Sequence, residues 1–266
     1  MEKATISLSF DDGRADNYEV IEKLLRPMGI PVTLNITTGY VDGSCPEPLS
    51  PSVKSALSVE QVCRLADSEK TEIALHGDRH LNTWEDILSG KRKLLQWMHL
   101  PENHPFGFAS PGSGMKTVEF VRDEKIRSEN QILYLRTSLR NERMVALRIL
   151  CRKAGRILHL PVLYRIAYAD TLMTHCEDCI VYSVPVMRDT TFEEVKAIVD
   201  LCVRRKAALT LMFHSILPDV DGEDNWSWSW QKLERLCRFL KEKKNNQTLR
   251  IVTTKDLVRI LREGEI

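Results

Sequence analysis

Two pairs of polar residues in this sequence have the types and spacing of a catalytic metal site. The segment Ser9–Gly13 holds adjacent carboxylates, Asp11 and Asp12, at the end of an apolar, strand-like run. A second strand-like run is followed by His76 and His80, four positions apart. One carboxylate and two imidazoles are a common ligand set for a catalytic zinc ion that keeps one position open for water. The other carboxylate is then free to act as a base.

The chemistry that such a site supports is hydrolysis at a carbonyl carbon. Zinc bound by Asp12, His76 and His80 would lower the pKa of its water to about 7 and polarise the carbonyl oxygen. Asp11 would accept the water's proton, and His214, at the end of another apolar run, is the best-placed donor to the leaving nitrogen. The histidine spacing predicts that both rings lie on one side of a helical turn. We therefore expect a divalent cation, with Zn2+ first and Co2+ or Ni2+ as alternatives.

The elements that must position these residues alternate between strand-like and helix-like patterns. The predicted strands lie near residues 4–10, 31–37, 71–75, 106–110, 131–136, 179–184, 208–213 and 249–253. The predicted helices lie near residues 16–27, 58–69, 83–98, 116–124, 142–154, 191–205, 228–243 and 254–263. This alternation indicates βαβ units and a largely parallel sheet, closed into a barrel or a distorted barrel. An open doubly wound sheet is the alternative, although no Gly-x-Gly-x-x-Gly follows the first strand.

Polar clusters follow five of the predicted strands. The clusters are Asp11-Asp12, His76–His80, Ser110–Gly114, Arg136–Ser138 and His214-Ser215. In parallel α/β folds the carboxyl ends of the strands gather at one face, and the chemistry takes place there. We therefore expect the five clusters to converge on one pocket.

Two segments interrupt the alternation. Residues 38–58 contain three prolines and two glycines, which predicts a long surface loop. Residues 142–178 begin with a basic stretch and contain no clear strand, which indicates a helical insertion in the manner of a lid. We expect one catalytic domain spanning residues 1–266 with these two insertions.

Composition and charge set further bounds on the function. Lys and Arg total 38 and Asp and Glu total 37, a balance that gives no argument for nucleic acid or an anionic membrane surface. No apolar run approaches the roughly 20 residues that span a bilayer, and Met1 leads directly into the first strand without a signal peptide. Seven cysteines, an odd number, indicate reduced thiols. We therefore expect a cytoplasmic protein with no transmembrane segment and no nucleic-acid partner.

Four segments resemble the motifs of the NodB-like polysaccharide deacetylases, also called carbohydrate esterase family four. They occur in family order and read Ser-Phe-Asp-Asp-Gly (9–13), Glu-Ile-Ala-Leu-His-Gly-Asp-Arg-His (72–80), Phe-Ala-Ser-Pro-Gly (108–112) and Leu-Thr-Leu-Met-Phe-His (209–214). The resemblance implies a distorted (β/α)7 barrel of the NodB-homology type. It also implies metal-dependent removal of N-acetyl groups from amino sugars, so that a carbohydrate is the substrate.

The resemblance further implies a role for each matching residue. Asp11 would be the general base and His214 the general acid. The third motif would bring Pro111 and Gly112 to the substrate, where a backbone N–H near Gly112 would help to stabilise the oxyanion. The metal ligands would be Asp12, His76 and His80.

Two departures from the family pattern concern the site. Many members carry an arginine in the third motif that pairs with the base aspartate, whereas this chain has Ala109. We hypothesise that Arg136, at the neighbouring strand end, supplies that charge to Asp11. The fourth motif has no convincing match, which leaves the carboxylate partner of His214 unassigned. The candidates for this partner are Asp170, Asp189 and Asp219.

The run from Trp226 to Trp230 alternates tryptophan with serine and has two interpretations. Its indoles would stack on sugar rings, with Trp226 as a substrate-binding residue, or the run would begin a helix capped by Asp224 or Asn225 and pack an indole inward. The function has alternatives as well. They are an N-deformylase or other linear-amide hydrolase on the same scaffold, and a carbohydrate-binding homologue without turnover.

Overall fold

A parallel barrel of seven strands forms the centre of the molecule. The computed structural model describes residues 2–45, 55–138, 142–218 and 225–264. Strands β1 to β7 pair in chain order, and β7 also pairs with β1, which closes the barrel. The strands are β1 (Ala4–Phe10), β2 (Val32–Ile36), β3 (Thr71–Leu75), β4 (Phe106–Ala109), β5 (Ile132–Ser138), β6 (Ile180–Pro185), β7 (Ala208–Phe213), β8 (Ser215–Leu217), β9 (Ser227–Ser229) and β10 (Leu249–Val252). The predicted distorted (β/α)7 barrel is confirmed, and closure excludes the open doubly wound sheet.

The distortion lies at β1, which has three neighbours. Along one edge β1 pairs with β7 from Thr5 to Phe10. Along the other edge its first half pairs with β10, and only Ser9 and Phe10 pair with β2. All seven residues of β1 are buried, as expected for a parallel strand covered on both faces. The end of β1, where the two aspartates follow, is therefore held from both sides.

Helices cover the outside of the barrel. They are α1 (Asp16–Val20), α2 (Thr38–Val41), α3 (Val59–Ala66), α4 (Trp84–Trp97), α5 (Thr117–Arg122), α6 (Glu124–Glu129), α7 (Glu142–Leu158), α8 (Pro161–Ala167), α9 (Phe192–Arg205), α10 (Trp230–Asn245) and α11 (Thr254–Glu263). A π-helical stretch, Ile21–Leu25, continues α1. Within the described ranges no helix has both the length and the apolar content needed to cross a bilayer.

The starts of four helices follow directly from local sequence. In each case a serine or threonine precedes the helix, and its hydroxyl accepts a hydrogen bond from the backbone N–H three residues later, which satisfies a donor that the helix itself leaves open. The four capping residues are Ser58 of α3, Thr83 of α4, Thr191 of α9 and Thr253 of α11. These caps fix where the chain turns back after each strand.

The amino-terminal end of the barrel is filled by a buried tyrosine. Tyr134 lies against Gly107 of the neighbouring strand, where any side chain would overlap its ring. Its hydroxyl donates to the buried carboxylate of Glu72 at 2.8 Å. The same carboxylate accepts from the Lys255 backbone N–H at 2.9 Å, at the start of α11. The polar groups at this end are thus engaged in structure, and the opposite end of the barrel remains for function.

The structure corrects two predictions of local structure. Residues 38–58 are not one loop, because Thr38–Val41 form α2 and residues 55–58 lead into α3; residues 46–54 lie outside the described ranges. The predicted helix start at 228 is also wrong, since Ser227–Ser229 form β9 and α10 begins at Trp230. The serine–tryptophan alternation has the two-residue period of a strand. Strand β9 pairs with β8, which begins directly after His214.

Candidate active site

The two adjacent aspartates point to different partners because the backbone reverses between them. Asp12 has a φ of 74° and Gly13 a φ of 75°, so both residues lie in the left-handed region. That conformation is uncommon for a residue with a side chain and is concentrated at functional sites. Asp11 is buried inside the end of the barrel, whereas the side chain of Asp12 lies at its rim and is 13% exposed. The turn therefore separates two carboxylates that would repel each other side by side.

Asp11 is paired with Arg136, which lies near the carboxyl end of β5. One guanidinium nitrogen, Nη2, lies 2.5 Å from both carboxylate oxygens of Asp11, and the Asn35 amide donates to Oδ1 at 2.8 Å. The side chains of Arg136 and Asp11 are 1% and 4% exposed. Burial raises the pKa of Asp11, but the nearby charges, first that of Arg136, outweigh it and hold the pKa below its usual range. Asp11 is therefore ionised and held in one orientation.

Asp12, His76 and His80 form a cluster whose ligand atoms all lie within 4.8 Å of one another. Oδ1 of Asp12 is 3.4 Å from Nε2 of His76 and 3.4 Å from Nε2 of His80. The two imidazole rings meet edge to face with their centroids 4.8 Å apart. Burial opposes ionisation of Asp12, yet hydrogen bonding to the two histidines keeps its pKa well below the usual range. One carboxylate oxygen and two ring nitrogens thus converge on one point.

The hydrogen bond of the buried His76 ring shows that this cluster fits a divalent cation. Its Nδ1 lies 2.8 Å from the carbonyl oxygen of Ala109, and a carbonyl only accepts, so Nδ1 carries the hydrogen. In the neutral ring, Nε2 then presents a lone pair to the carboxylate oxygen of Asp12. Two acceptors that face each other need a cation or a proton between them. Tetrahedral ligands at zinc bond lengths stand about 3.3–3.5 Å apart, which matches the observed separations.

The loop that carries the histidines is shaped by Asp86, near the start of α4. The carboxylate of Asp86 accepts hydrogen bonds from the backbone N–H groups of Asp78, Arg79 and Leu81 at 2.9–3.0 Å. Gly77 has a φ of 82°, and a Cβ there would lie 2.4 Å from an Asp86 oxygen. The loop is therefore irregular, and the prediction of a helical turn between the two histidines is wrong. The rings of His76 and His80 meet because the Asp86 carboxylate, through its three hydrogen bonds to backbone N–H groups, folds the loop that connects them.

The outer oxygen of Asp12 is held by Arg14. Nε and Nη2 of Arg14 both lie 3.0 Å from Oδ2 of Asp12. Nη1 donates to the Ser215 hydroxyl at 3.0 Å, in the segment directly after His214. With Oδ2 occupied, Oδ1 is the oxygen that faces the histidines. Arg14 thus orients the carboxylate and ties the cluster to the strand end that bears His214.

His214 is positioned through its backbone rather than through a carboxylate. The Asn17 amide donates to the His214 carbonyl at 2.8 Å, and the Ile216 N–H donates to Asp16 at 2.6 Å. Within the described ranges, the buried Nδ1 of His214 has no hydrogen-bond partner. Desolvation lowers the pKa of the ring, and the charge of Asp12 acts in the opposite direction.

The proposed carboxylate partners of His214 are engaged elsewhere. Asp170 pairs with Arg148 at 2.9 Å and Asp189 pairs with Arg156 at 2.8 Å, so neither orients the His214 ring. Asp219, the third candidate, lies outside the described residues. The prediction is therefore corrected for Asp170 and Asp189.

These residues share a cavity of about 320 Å³ at the carboxyl end of the barrel, a volume typical of small-molecule sites. The lining includes Asp11, Asp12, His76, His80, Gly112, His214 and Trp226. Arg136 lies behind Asp11 and does not line the cavity. Pro111 is buried and also does not line it; its carbonyl accepts from the Asn82 amide at 3.0 Å. The predicted convergence of the strand ends is thus observed, with Pro111 placed as a support of the wall.

The tryptophans after His214 have different positions. Trp226 is 43% exposed, and its ring lies over His214 with the centroids 4.5 Å apart. Trp228 is fully buried, packs on Phe213 and donates from its indole N–H to the Thr190 carbonyl at 2.8 Å. One indole therefore faces the cavity and one belongs to the core. The predicted platform of three indoles is reduced to Trp226.

Comparisons with known proteins agree with this geometry. The family model for polysaccharide deacetylases matches residues 1–100, which include β1, β3 and all three ligands of the cluster. Over these residues the chain resembles the polysaccharide deacetylase family. No curated protein matches it.

Solved structures of low sequence identity show the fold that this chain shares. A putative polysaccharide deacetylase from Mycobacterium smegmatis is 13% identical, with a TM-score of 0.56 over 100% of this chain and 93% of that one. A family 4 acetyl xylan esterase from Clostridium thermocellum, in complex with a cobalt ion, is 14% identical, with a TM-score of 0.50 over 96% and 91%. For the deacetylase domain of BpsB from Bordetella bronchiseptica, identity is 16% and the TM-score is 0.39 over 49% of this chain and 62% of that one. The match thus spans less than two thirds of that last domain.

Several residues of the site were not found from the sequence. Asn35, which donates to Asp11, is a polar residue within the apolar β2, and such a residue at a strand centre is a signal that was available. Arg14 follows the aspartate pair by two residues and offered no pattern of its own. Ser113 and Ser138, by contrast, belong to two of the predicted polar clusters; both line the cavity, and the Ser138 N–H donates to the Ser113 hydroxyl at 2.9 Å.

Proposed function

We propose that this chain is a metal-dependent hydrolase that removes an N-acetyl group from an amino sugar in a polysaccharide, oligosaccharide or glycoconjugate. The observation that carries the proposal is the arrangement in one cavity of three ligand groups and two further proton-transfer groups. The ligands are Asp12, His76 and His80. The proton-transfer groups are Asp11 and His214, which line the same cavity. The match of residues 1–100 to the polysaccharide deacetylase family supports deacetylation as the class of reaction.

The cation proposed for the site is Zn2+, with Co2+ and Ni2+ as alternatives. Two imidazoles and one carboxylate suit all three ions. The cobalt ion in the acetyl xylan esterase of the same fold is in accord with this choice. When bound, such an ion supplies Lewis-acid polarisation of the amide carbonyl and lowers the pKa of a nearby water.

The role proposed for Asp11 is to accept the proton of the attacking water. Arg136 and Asn35 fix both carboxylate oxygens, so the base approaches the substrate in one orientation. Because its pKa is held below the usual range, Asp11 is ionised at neutral pH and ready to accept a proton. Arg136 thereby supplies the charge that Ala109 does not provide in the third motif. The altered motif is thus compatible with turnover.

The role proposed for His214 is to deliver a proton to the leaving nitrogen. Its ring lines the cavity beside Trp226, where the amine of a bound sugar would depart. The backbone N–H near Gly112 is proposed as a donor to the developing oxyanion. Pro185, Met187 and Met212 form an apolar wall that suits the methyl of an acetyl group, and the exposed indole of Trp226 suits the face of a sugar ring.

Acetate release from N-acetylated chitooligosaccharides, with zinc present, tests the proposal. We expect Asp11→Asn and His214→Ala to lower kcat by roughly 100-fold or more. His99→Ala, an exposed histidine outside the cavity, is the matched control and should retain full activity. Formate release from N-formyl analogues, without acetate release, would identify a deformylase instead. A zinc-loaded protein that releases neither product from any such substrate would refute the enzyme and leave a carbohydrate-binding homologue.

A further inference from the structure

Helix α7 turns three arginines toward the rest of the molecule and most of its large aliphatic residues toward solvent. The three arginines are spaced four residues apart. Their contacts are Arg148 with Asp170 at 2.9 Å, Arg152 with Glu194 at 2.5 Å, and Arg156 with Asp189 at 2.8 Å. Glu194 itself is fully buried, and it also accepts from the Tyr168 hydroxyl at 2.8 Å. Ion pairs therefore hold α7 in place where an ordinary surface helix would use an apolar stripe.

The opposite side of α7 is exposed and largely apolar. Ala146, Leu150, Lys153 and Ile157 follow one another at helical spacing and are all exposed, with Leu150 at 64% and Ile157 at 76%. Exposed aliphatic residues continue beside this stripe and into the following helix, α8. They are Leu147, Ile149, Leu158, Leu160, Val162 and Ile166. Together with Leu150 and Ile157 these residues are called the apolar face below.

The apolar face is unusual for this chain. Of the 11 large hydrophobic residues that are exposed within the described ranges, eight belong to it. Single exposed apolar side chains are normal on a soluble surface, whereas a contiguous group of this kind marks a surface that contacts something else. No part of the chain that the structure describes covers these eight residues, and they lack an apolar environment there.

Charge identifies the kind of environment. Between residues 143 and 169 the sequence has six Lys or Arg residues and no Asp or Glu, although the whole chain is nearly neutral. The three inward arginines are paired, and Lys153 lies within the exposed stripe. Apolar side chains together with basic ones, and without acids, fit the interface of a membrane that contains anionic lipids.

We propose that the apolar face docks onto the surface of an anionic lipid bilayer. The leucine and isoleucine side chains enter the boundary between headgroups and acyl chains, and Lys153 and Arg165 contact lipid phosphates. A second copy of the chain is a poorer occupant, because a two-fold contact centred on the middle of this stripe would bring Lys153 close to its own counterpart.

Vesicle flotation tests the proposal without any need for catalysis, so it stands or falls separately from the proposed hydrolase activity. The probes are vesicles of phosphatidylcholine alone and of phosphatidylcholine with an equal amount of phosphatidylglycerol. We expect the wild type to float with the anionic vesicles and to be released by high salt. The double variant L150E/I157E should bind these vesicles at least about tenfold more weakly.

The matched control is Val118→Glu, because Val118 is 73% exposed and lies outside the apolar face. This variant should float as the wild type does, and Lys153→Glu should lose binding to the anionic vesicles. Far-ultraviolet circular dichroism checks that each variant is folded. Wild-type protein that floats with neither vesicle, or a double variant that floats as well as the wild type, would overturn the proposal. Concentration-dependent dimerisation that L150E/I157E abolishes, without vesicle binding, would overturn it in favour of a second copy.

Discussion

The buried pair of Asp11 and Arg136 makes a quantitative prediction about stability. Replacing Arg136 with methionine keeps much of the side-chain volume but removes the charge that faces Asp11. Of the two side-chain contacts of Asp11 described above, the carboxylate would then keep only the one with the Asn35 amide, 2.8 Å from Oδ1. Because the side chains of Arg136 and Asp11 are 1% and 4% exposed, water cannot easily replace the guanidinium.

The size of the effect follows from the burial of the pair. Breaking a buried ion pair from one side costs about 3–5 kcal/mol, because a charge is left without compensation. A domain is stable by about 5–15 kcal/mol, so Arg136→Met should lose a large fraction of that. At about 2–4 °C per kcal/mol, the melting temperature should fall by about 6–20 °C. The double variant D11N/R136M removes both charges and should recover at least about 2 kcal/mol of the loss.

Urea unfolding of the four proteins in the cycle, in the presence of a chelator, gives these free energies without a contribution from bound metal. Arg122→Met is the matched control, since the Arg122 side chain is 69% exposed and pairs with Asp123 at the surface. Such an exposed pair contributes little to stability, so Arg122→Met should unfold at nearly the same urea concentration as the wild type. A loss of less than about 1 kcal/mol for Arg136→Met, or a double variant no more stable than it, would refute the assignment of Arg136 as the charge partner of Asp11.

Three further predictions concern the same region. Trp228→Ala should cost about 3–5 kcal/mol in urea unfolding and Trp226→Ala less than about 1 kcal/mol, because only the first indole is buried; equal losses would contradict the division between core and cavity. Arg14→Ala should weaken zinc binding by about 10–100-fold in calorimetry, because Asp12 loses the group that orients it, and unchanged affinity would contradict that role. Burial raises the pKa of Asp16 to about 6, so the folded chain binds the Asp16 proton more tightly than the unfolded chain does. The free energy of unfolding should therefore fall as the pH rises from about 4 to about 6, by at most about 3 kcal/mol. Asp16→Asn should flatten that part of the stability curve, and an unchanged slope would show that another group causes it.

The barrel was predictable because each of its strands is a short apolar run that ends in a polar cluster. Parallel strands are buried on both faces, so the runs stand out in the sequence, and closure brings their ends together. The pairing of Asp11 with Arg136 was hypothesised because the family resemblance implies an arginine beside the base aspartate and Arg136 lies at a neighbouring strand end. The clustering of Asp12 with His76 and His80 was expected from their positions after strand ends.

The loops between the strands and helices were less predictable because their shapes depend on contacts between residues that are distant in the sequence. The loop with the two histidines follows the carboxylate of Asp86, which lies six residues beyond His80, so the four-residue spacing alone suggested the wrong conformation. The segment after His214 is held by Arg14 and Asn17, some 200 residues earlier in the chain. No local sequence pattern predicts such contacts. A search for a carboxylate partner of His214 by sequence position therefore selected aspartates that pair with arginines elsewhere.

The metal content of the purified protein tests the central claim most directly. The wild type, Asp12→Asn, His80→Ala and the control His99→Ala would be stripped with a chelator, dialysed against zinc and then against buffer, and measured by elemental analysis. Our account predicts about one zinc ion per chain in the wild type and in the control, and a loss of the ion in both cluster variants. A wild type without zinc, or cluster variants that retain as much zinc as the wild type, would contradict it.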